Sequence, residues 1–497
     1  MQDNKSLTEN PRKAIFFGAA WAVGMRWSIR AIGLMNMAII ARFLSPEDYG
    51  VVAMAFLVVG MVEIFLDVGS GAALVRLKTL TTEQIDSAWT LRGLQGILVA
   101  VIIISISPLA VIYFKEPRVG TVLIVVSACI AVMGFSNIGI TLAYKNLQFS
   151  LEYRIVVFTK ISSVIATLTA AIFLPDYRSL VVGIATGYLF EWILSYMMHP
   201  YRPKWNTSKF SEIWNVSRWM MLTGIGNYFL VRTDQLLAGR IANTYNYGLY
   251  SVGSEIGQLP AGELGPAMVR SLFPILASLQ NDVARAKNAT LKTLAAVNTV
   301  TMPLGLGLAA ISHPATVLLL GAKWVEATPF LTAFAVISTT SFIMAPINTL
   351  LNIEGYLKIQ TNIVWIQFFI FCIFSFPLVY KFQLIGIVGA RMISGLSSGI
   401  MLAFVAKRKL DVDLSLILMA LFRPILGSVL MYLLIIFTMI QSWSPLFQVL
   451  QGIFTGAVFF TTWIFVTWSM MGKPDGFEST LYEQVIKFFN KKIYKRI

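Results

Sequence analysis

Arg26 and Arg30 stand four residues apart in an apolar run, WAVGMRWSIRAIGL. On a helix that spacing puts both guanidinium groups on one face, with their Cβ atoms about 6 Å apart. Two planar forks so placed suit a pyrophosphate, because each can donate a pair of hydrogen bonds to phosphate oxygens. The competing arrangements are an ion-pair ladder with Glu63 and Asp67, which are also four apart, on the next apolar segment, and exposure to lipid or the membrane surface. A charge at the centre of a bilayer costs roughly 2.5–3.5 kcal/mol on insertion scales, so such residues face a cavity or a partner. The same rule adds Arg232 and Arg270 to the phosphate-binding candidates. It also makes Glu63, Asp67, Asp234 and Glu255 the carboxylates that could line a cavity or carry a coupling H+ or Na+. Asp234 has a second reading, the neutralisation of a neighbouring arginine. Arg76 and Arg270 either flank a cavity mouth or are ordinary anchors at the membrane surface. Arg92, Lys160, Glu191 and Arg391 also fall within apolar spans, and the sequence assigns them no role.

The elements that hold these residues must be membrane helices. Of 497 residues, 57% are apolar and 13% charged, and the mean hydropathy is +0.73; a soluble domain is nearer half apolar and a quarter charged. Apolar spans are predicted near 14–44, 49–68, 87–113, 119–144, 152–174, 179–198, 213–239, 246–264, 288–312, 328–352, 360–380, 384–406, 418–440 and 449–471. That makes about fourteen helices, each long enough to cross about 30 Å of hydrocarbon. Runs such as VAVIIISIS are continuously apolar, which excludes the period-two pattern of a membrane barrel. The eighth span carries Gly248, Gly253, Gly257, Pro260, Gly262, Gly265 and Pro266 and is expected to be a broken, gating helix.

The fold class expected is therefore an all-α polytopic membrane protein, and an internal repeat organises it. ARFLSPEDYG, ending at Gly50, recurs as GRIANTYNYG, ending at Gly248, with arginine and Tyr-Gly at the same spacing; Gly71-x-Ala73-Leu74-Val75-Arg76 is echoed by Gly265-x-Ala267-Met268-Val269-Arg270. An even number of crossings in each copy makes the pseudo-two-fold a parallel one, with its axis along the membrane normal. The expected domains are an N-terminal six-helix lobe over 1–200, a cytoplasmic inter-lobe linker over 201–216, a second six-helix lobe over 217–410, two additional helices over 411–472 and a tail over 473–497. The tail reads as a basic amphipathic helix on the inner leaflet, the alternative being a disordered basic segment. The arginines break the symmetry, since Gly224 and Tyr228 occupy the places that the repeat offset assigns to Arg26 and Arg30.

Charge sets the orientation. With both termini cytoplasmic, about 26 basic residues fall in cytoplasmic segments and about 7 on the opposite side. The net charge of +15 is thus spread over membrane-adjacent loops, with no stripe interleaved with aromatics, which argues against nucleic acid. Cys129 and Cys372 lie in spans without partner spacing, and His199 and His313 form no cluster, so no metal, disulfide or resident cofactor is expected. No phosphate-loop motif is present, which removes a built-in ATPase. Asp411-Val412-Asp413 resembles a glycosyltransferase metal motif but sits in a short loop. The chain reads as a non-enzyme.

The segments RFLSPEDYG, DVGSGAALVRLKTLTTEQID, SLFPILASLQND and LLLGAKWVEATPFL are similar to segments of bacterial polysaccharide and O-antigen flippases of the colanic-acid-exporter type, in the multidrug/oligosaccharidyl-lipid/polysaccharide exporter superfamily. The resemblance covers roughly residues 10–410. It implies two lobes around a central cavity lined by the first, second, seventh and eighth helices. It further implies location in the bacterial inner membrane and transport of undecaprenyl-pyrophosphate-linked oligosaccharide between leaflets, for surface-polysaccharide export. Partners implied or expected are that substrate, membrane lipids, a polysaccharide polymerase and glycosyltransferases. The alternatives are a multidrug-type exporter of the same fold, a membrane polymerase or glycosyltransferase, and a non-transporting scaffold in an envelope-synthesis complex. The intramembrane arginines argue against the first. The absence of an external loop longer than roughly 20 residues argues against the second.

Overall fold

The computed structural model describes residues 11–66, 80–145, 148–210, 228–229, 231–279 and 282–472. Asp67, Arg76, residues 211–216 of the expected linker, the first part of the seventh span and the tail 473–497 lie outside the described residues. The described chain is helical, with no strand, and nine helical stretches in it, one of them 322–353 taken as a whole, are long and apolar enough to cross a membrane. It is a multi-pass membrane protein. Two compact units divide it, Met1–Gly248 and Leu249–Ile497.

In the first unit the helices are α1 (Pro11–Phe43), α2 (Pro46–Leu66), α3 (Thr82–Phe114), α4 (Pro117–Gly134), the short α5 (Gly139–Lys145), α6 (Phe149–Phe173) and α7 (Tyr177–Met198). They are followed by α8, over residues 231–241, and by the start of α9 (Thr244–Ser278). Polar caps between apolar runs set these boundaries. Thr81 and Gln84 close a reciprocal capping box at the start of α3, Gln84 N–H donating to Thr81 Oγ1 at 3.2 Å and Thr81 N–H to Gln84 Oε1 at 3.0 Å. Pro117 opens α4, where a missing N–H costs nothing. The span expected over 119–144 is shorter than that: α4 stops at Gly134, and Asn137 turns the chain, its Oδ1 accepting from Gly139 N–H at 2.8 Å. The helices pack as neighbours in sequence, α3 on α4 and α6 on α7, with α1 laid along α6.

The second unit contains the rest of α9, then α10 (Val283–Ala310), α11 (Ser312–Leu320), a 3-10 turn (Ala322–Ala327), α12 (Thr328–Thr340), α13 (Ala345–Ile353), α14 (Leu357–Leu410), α15 (Leu414–Thr438) and α16 (Pro445–Met470). The span expected over 328–352 is interrupted between α12 and α13 by turns at 341–344. α14 is two helices joined at Gln383, whose φ of 50° and ψ of −127° break the regular path where adjacent spans were predicted to part. α10 packs on α12 and α15. Leu272, Leu294, Leu351, Leu402 and Ile417 share one core, and Ile311, Met431, Ile435, Phe460 and Ile464 a second.

One expectation is overturned. α9 runs unbroken through the glycine- and proline-rich stretch from Gly248 to Pro266. Its glycines serve close packing: a Cβ on Gly253 would lie 2.8 Å from Phe330 Cβ, on Gly257 2.7 Å from the Leu331 carbonyl oxygen, and on Gly265 2.7 Å from the Phe342 ring. With Ala261, which is fully buried, these residues recur every four positions; Gly253 and Gly257 lie against α12 and Gly265 against the turn that follows it, the arrangement that lets membrane helices approach closely.

Candidate functional site

Both copies of the repeat motif are helix starts. Ser45 caps α2, its Oγ accepting from Asp48 N–H at 3.3 Å while Asp48 Oδ2 accepts from Ser45 N–H at 3.0 Å and Ser45 Oγ at 2.5 Å. Asn243, its counterpart, caps α9, Oδ1 accepting from Asn246 N–H at 2.8 Å. The hydrogen bonds Leu44 N–H to Ile40 O and Ala242 N–H to Ala238 O, each 2.9 Å, also match position for position. The two helix starts cross at their glycines. A Cβ on Gly50 would overlap the Thr244 carbonyl and lie 3.1 Å from Gly248 N; a Cβ on Gly248 would overlap the Pro46 carbonyl and lie 3.1 Å from Gly50 N. The contacts are reciprocal.

A polar network surrounds this crossing. Arg118 at the start of α4 pairs with Glu47 of α2 at 2.5 Å and with Glu116 at 2.7 Å. Its guanidinium hydrogen bond holds the Glu116 carboxyl below the usual glutamate range. Asp48, nearly buried, also accepts from Tyr177 N–H of α7 at 2.9 Å through Oδ1. Beside it, Arg178 lies 2.6 Å from Asp176 and lowers that carboxyl's pKa through a side-chain hydrogen bond. α8 is docked on the end of α3: Arg240 Nη1 donates to the Tyr113 carbonyl at 3.1 Å with its guanidinium over the Tyr113 ring, and Tyr113 Oη donates to the Leu236 carbonyl at 3.1 Å. Further along, the buried Tyr228 donates to the Leu57 carbonyl of α2 at 2.5 Å.

The other end of the first unit carries a strap. Residues 199–206 leave α7 without regular structure and run to Phe210 across the beginning of α3, where Asp86, Ser87 and Thr90 are buried. Asp86 Oδ1 accepts from Tyr201 Oη at 2.7 Å and from Lys204 N–H at 3.1 Å; Thr90 Oγ1 accepts from Asn206 N–H at 3.0 Å and Ser87 Oγ from Lys209 N–H at 3.2 Å. Desolvation and this contact raise the Tyr201 pKa.

The sequence-predicted residues are distributed between the two units. Arg26 and Arg30 are exposed on α1; Glu63 is half-buried on α2. On α8, Arg232 is exposed and donates through Nη1 to Gln235 Oε1 at 2.6 Å, whereas Asp234 is 3% exposed. These five belong to the first unit. Glu255 and Arg270, both exposed on α9, belong to the second. Cationic side chains exposed on apolar helices can bind anionic groups without bond chemistry, and no group of three or more His, Cys, Asp or Glu residues among the described ones is placed to hold a metal. Three charged positions have structural surroundings that the sequence did not disclose. Asp86 pins the strap. Lys160 is exposed in the middle of α6. Arg423 of α15 reaches α16, donating to Thr467 Oγ1 at 3.2 Å and the Ile464 carbonyl at 3.1 Å. Arg423 was open to the rule that flags charges inside spans; Asp86 carried no signal beyond its place at a span's edge.

Comparison with known proteins agrees with this architecture. The Lipopolysaccharide biosynthesis protein WzxC of Escherichia coli (strain K12) is 23% identical over 425 residues, covering 84% of this chain and 82% of its own. The Teichuronic acid biosynthesis protein TuaB of Bacillus subtilis (strain 168) is 21% identical over 355 residues, 69% of this chain and 72% of its own. Among solved structures, the lipid II flippase MurJ in an inward closed conformation superposes with a TM-score of 0.70 at 16% identity, covering 91% of this chain and 99% of that one, a likeness of fold. Residues 39–329 match the family described as polysaccharide biosynthesis protein. The chain belongs to that polysaccharide biosynthesis protein family.

Proposed function

We propose that the protein is a flippase that moves undecaprenyl-pyrophosphate-linked oligosaccharide units from the cytoplasmic to the outer leaflet of a bacterial inner membrane, for surface-polysaccharide export. The observation that carries the reading is the pair Arg26 and Arg30, both exposed and one helical turn apart on α1, in a chain of a polysaccharide biosynthesis family. A fold like that of a lipid II flippase and relatives named for polysaccharide biosynthesis support it. In this reading the chain has about fourteen spans, arranged as two six-helix lobes and two extra helices. Both termini are cytoplasmic, as the distribution of basic loops favours. The pyrophosphate is held by Arg26 and Arg30, with Arg232 and Arg270 at later stages of the passage, while the polyprenyl tail stays in lipid. Rocking of the lobes about the repeat axis then exposes the sugar on the far side. No bond is made or broken, so the protein is no enzyme. Asp234, Glu63, Asp67 and Glu255 are the carboxylates available for H+ or Na+ coupling. A polymerase and glycosyltransferases act beside it.

The test is the double substitution Arg26→Gln and Arg30→Gln in the full chain. The expected result is a normally folded protein at normal abundance, loss of surface polysaccharide, and lipid-linked oligosaccharide accumulating in the cytoplasmic leaflet. Export at the wild-type rate would overturn the phosphate assignment.

A further inference from the structure

Lys160 is the twelfth residue of the 25-residue helix α6, about 16 to 20 Å from either end at 1.5 Å per residue. That places a cation near the middle of a hydrocarbon layer about 30 Å thick. The helix has a clear lipid-facing stripe, on which Phe158, Ile161, Ile165 and Ile172 are 49%, 40%, 59% and 69% exposed. At 100° per residue Lys160 points roughly 135° away from the centre of that stripe.

The face that does carry Lys160 is turned toward protein. Tyr153 lies seven residues earlier, within about 20° of the same direction, and its hydroxyl is 3.2 Å from Ser28 Oγ of α1. Seven residues later on the same face, Thr167 is 3% exposed and packs against Gly183 of α7. Ala171, 1% exposed, packs with Ile40 and Leu44 at the end of α1. Contacts with α1 thus lie both below and above Lys160, and yet Lys160 itself is exposed. An exposed residue on a protein-facing stripe at mid-membrane depth marks an opening between helices, and an ammonium is retained there only where water or an anion solvates it.

We infer that Lys160 is a mid-membrane anion subsite of the translocation path, taking a phosphate oxygen of the lipid-linked substrate beyond the Arg26 and Arg30 station. The inference rests on the flippase reading. A lysine suits an intermediate station: its ammonium is a compact point charge without the bidentate geometry of arginine, so it can attract a moving phosphate without fixing its orientation.

Two measurements on the purified full chain test this. First, Lys160→Cys and Ile165→Cys are treated in detergent with a charged methanethiosulfonate reagent. Residue 160 is expected to react and residue 165 to stay protected by the detergent belt; no reaction at 160 would overturn the inference. Second, undecaprenyl pyrophosphate is titrated against wild type, Lys160→Gln and Lys160→Arg. The loss of one charge-assisted hydrogen bond is expected to weaken binding about tenfold in Lys160→Gln, with wild-type thermal stability, and Lys160→Arg is expected to restore it. If wild type binds and Lys160→Gln binds equally well, the subsite is wrong while the flippase reading stands. If Lys160→Gln loses stability instead, the lysine is a structural ion-pair partner and the subsite is again wrong. Failure of wild type to bind undecaprenyl pyrophosphate would remove the flippase reading and the subsite with it.

Discussion

A methyl group at either glycine of the α2–α9 crossing should force the two helix starts apart. In Gly50→Ala the new Cβ would overlap the Thr244 carbonyl and stand 3.1 Å from Gly248 N. Those neighbours are backbone atoms of a capped first turn and cannot rotate away as a side chain could, so the whole turn has to move. Overpacking of this kind costs typically 1–3 kcal/mol, and about the upper half of that range is expected here. Gly248→Ala meets the Pro46 carbonyl in the mirror-image manner and should cost a similar amount. Because both methyl groups open the same crossing, the double variant should lose less than the sum of the two singles, a coupling of about 0.5–3 kcal/mol. Gly33→Ala on α1 is the control, since a Cβ there has nothing within 4 Å; it should be neutral or slightly stabilising, as alanine is the better helix former. The assay is reversible unfolding of the purified chain in detergent for the wild type, the three single variants and the double. Neutral single variants at positions 50 and 248, or strictly additive ones, would refute the reciprocal-crossing argument.

Two further outcomes follow from the polar networks. Asp86→Ala leaves Tyr201 Oη and Lys204 N–H of the strap without the carboxylate that accepts from them; a loss of about 2–4 kcal/mol and faster protease cleavage between residues 199 and 210 are expected, with Asp86→Asn intermediate, and unchanged cleavage would contradict the strap's dependence on this residue. The carboxyl of Glu116 is held below its ordinary value of 4.5 by Arg118. A group whose folded pKa is depressed contributes stability above its unfolded value and loses it as pH falls through the folded one. The melting-temperature advantage of wild type over Glu116→Gln should therefore be full near neutral pH and shrink below about pH 4; an advantage that grows on acidification would have the wrong sign.

Some helix boundaries were legible: the spans expected from 49, 87, 119 and 449 lie close to helices that begin at Pro46, Thr82, Pro117 and Pro445, and the gap predicted between spans at 380–384 is the break at Gln383. The repeated arginine-to-glycine spacing was also legible, and its physical content is a pair of capped helix starts meeting at Gly50 and Gly248. What a glycine is for was not legible. The same residue type breaks a helix, or lets a second helix approach, and the choice for Gly253, Gly257 and Gly265 depends on Phe330, Leu331 and Phe342, about 75 residues away in sequence. The strap on α3 escaped for a similar reason: residues 201–210 read as a polar linker, and only the fold brings Asp86, Ser87 and Thr90 beneath them. Charges within spans could be flagged from sequence, but not sorted. Burial separates Asp234, at 3%, from the exposed Arg26, Arg30 and Glu255, and the direction of Lys160 becomes visible only against the lipid-facing stripe of α6.

The most direct test of the central claim is transbilayer movement itself. The purified chain is reconstituted into liposomes carrying undecaprenyl-pyrophosphate-linked oligosaccharide, and the sugar's exposure to an impermeant glycosidase is followed over time. Wild type is expected to render the protected leaflet's pool cleavable, whereas the variant carrying Arg26→Gln and Arg30→Gln leaves it protected as in protein-free liposomes. Wild-type liposomes that protect the inner pool as well as protein-free ones do would contradict the claim.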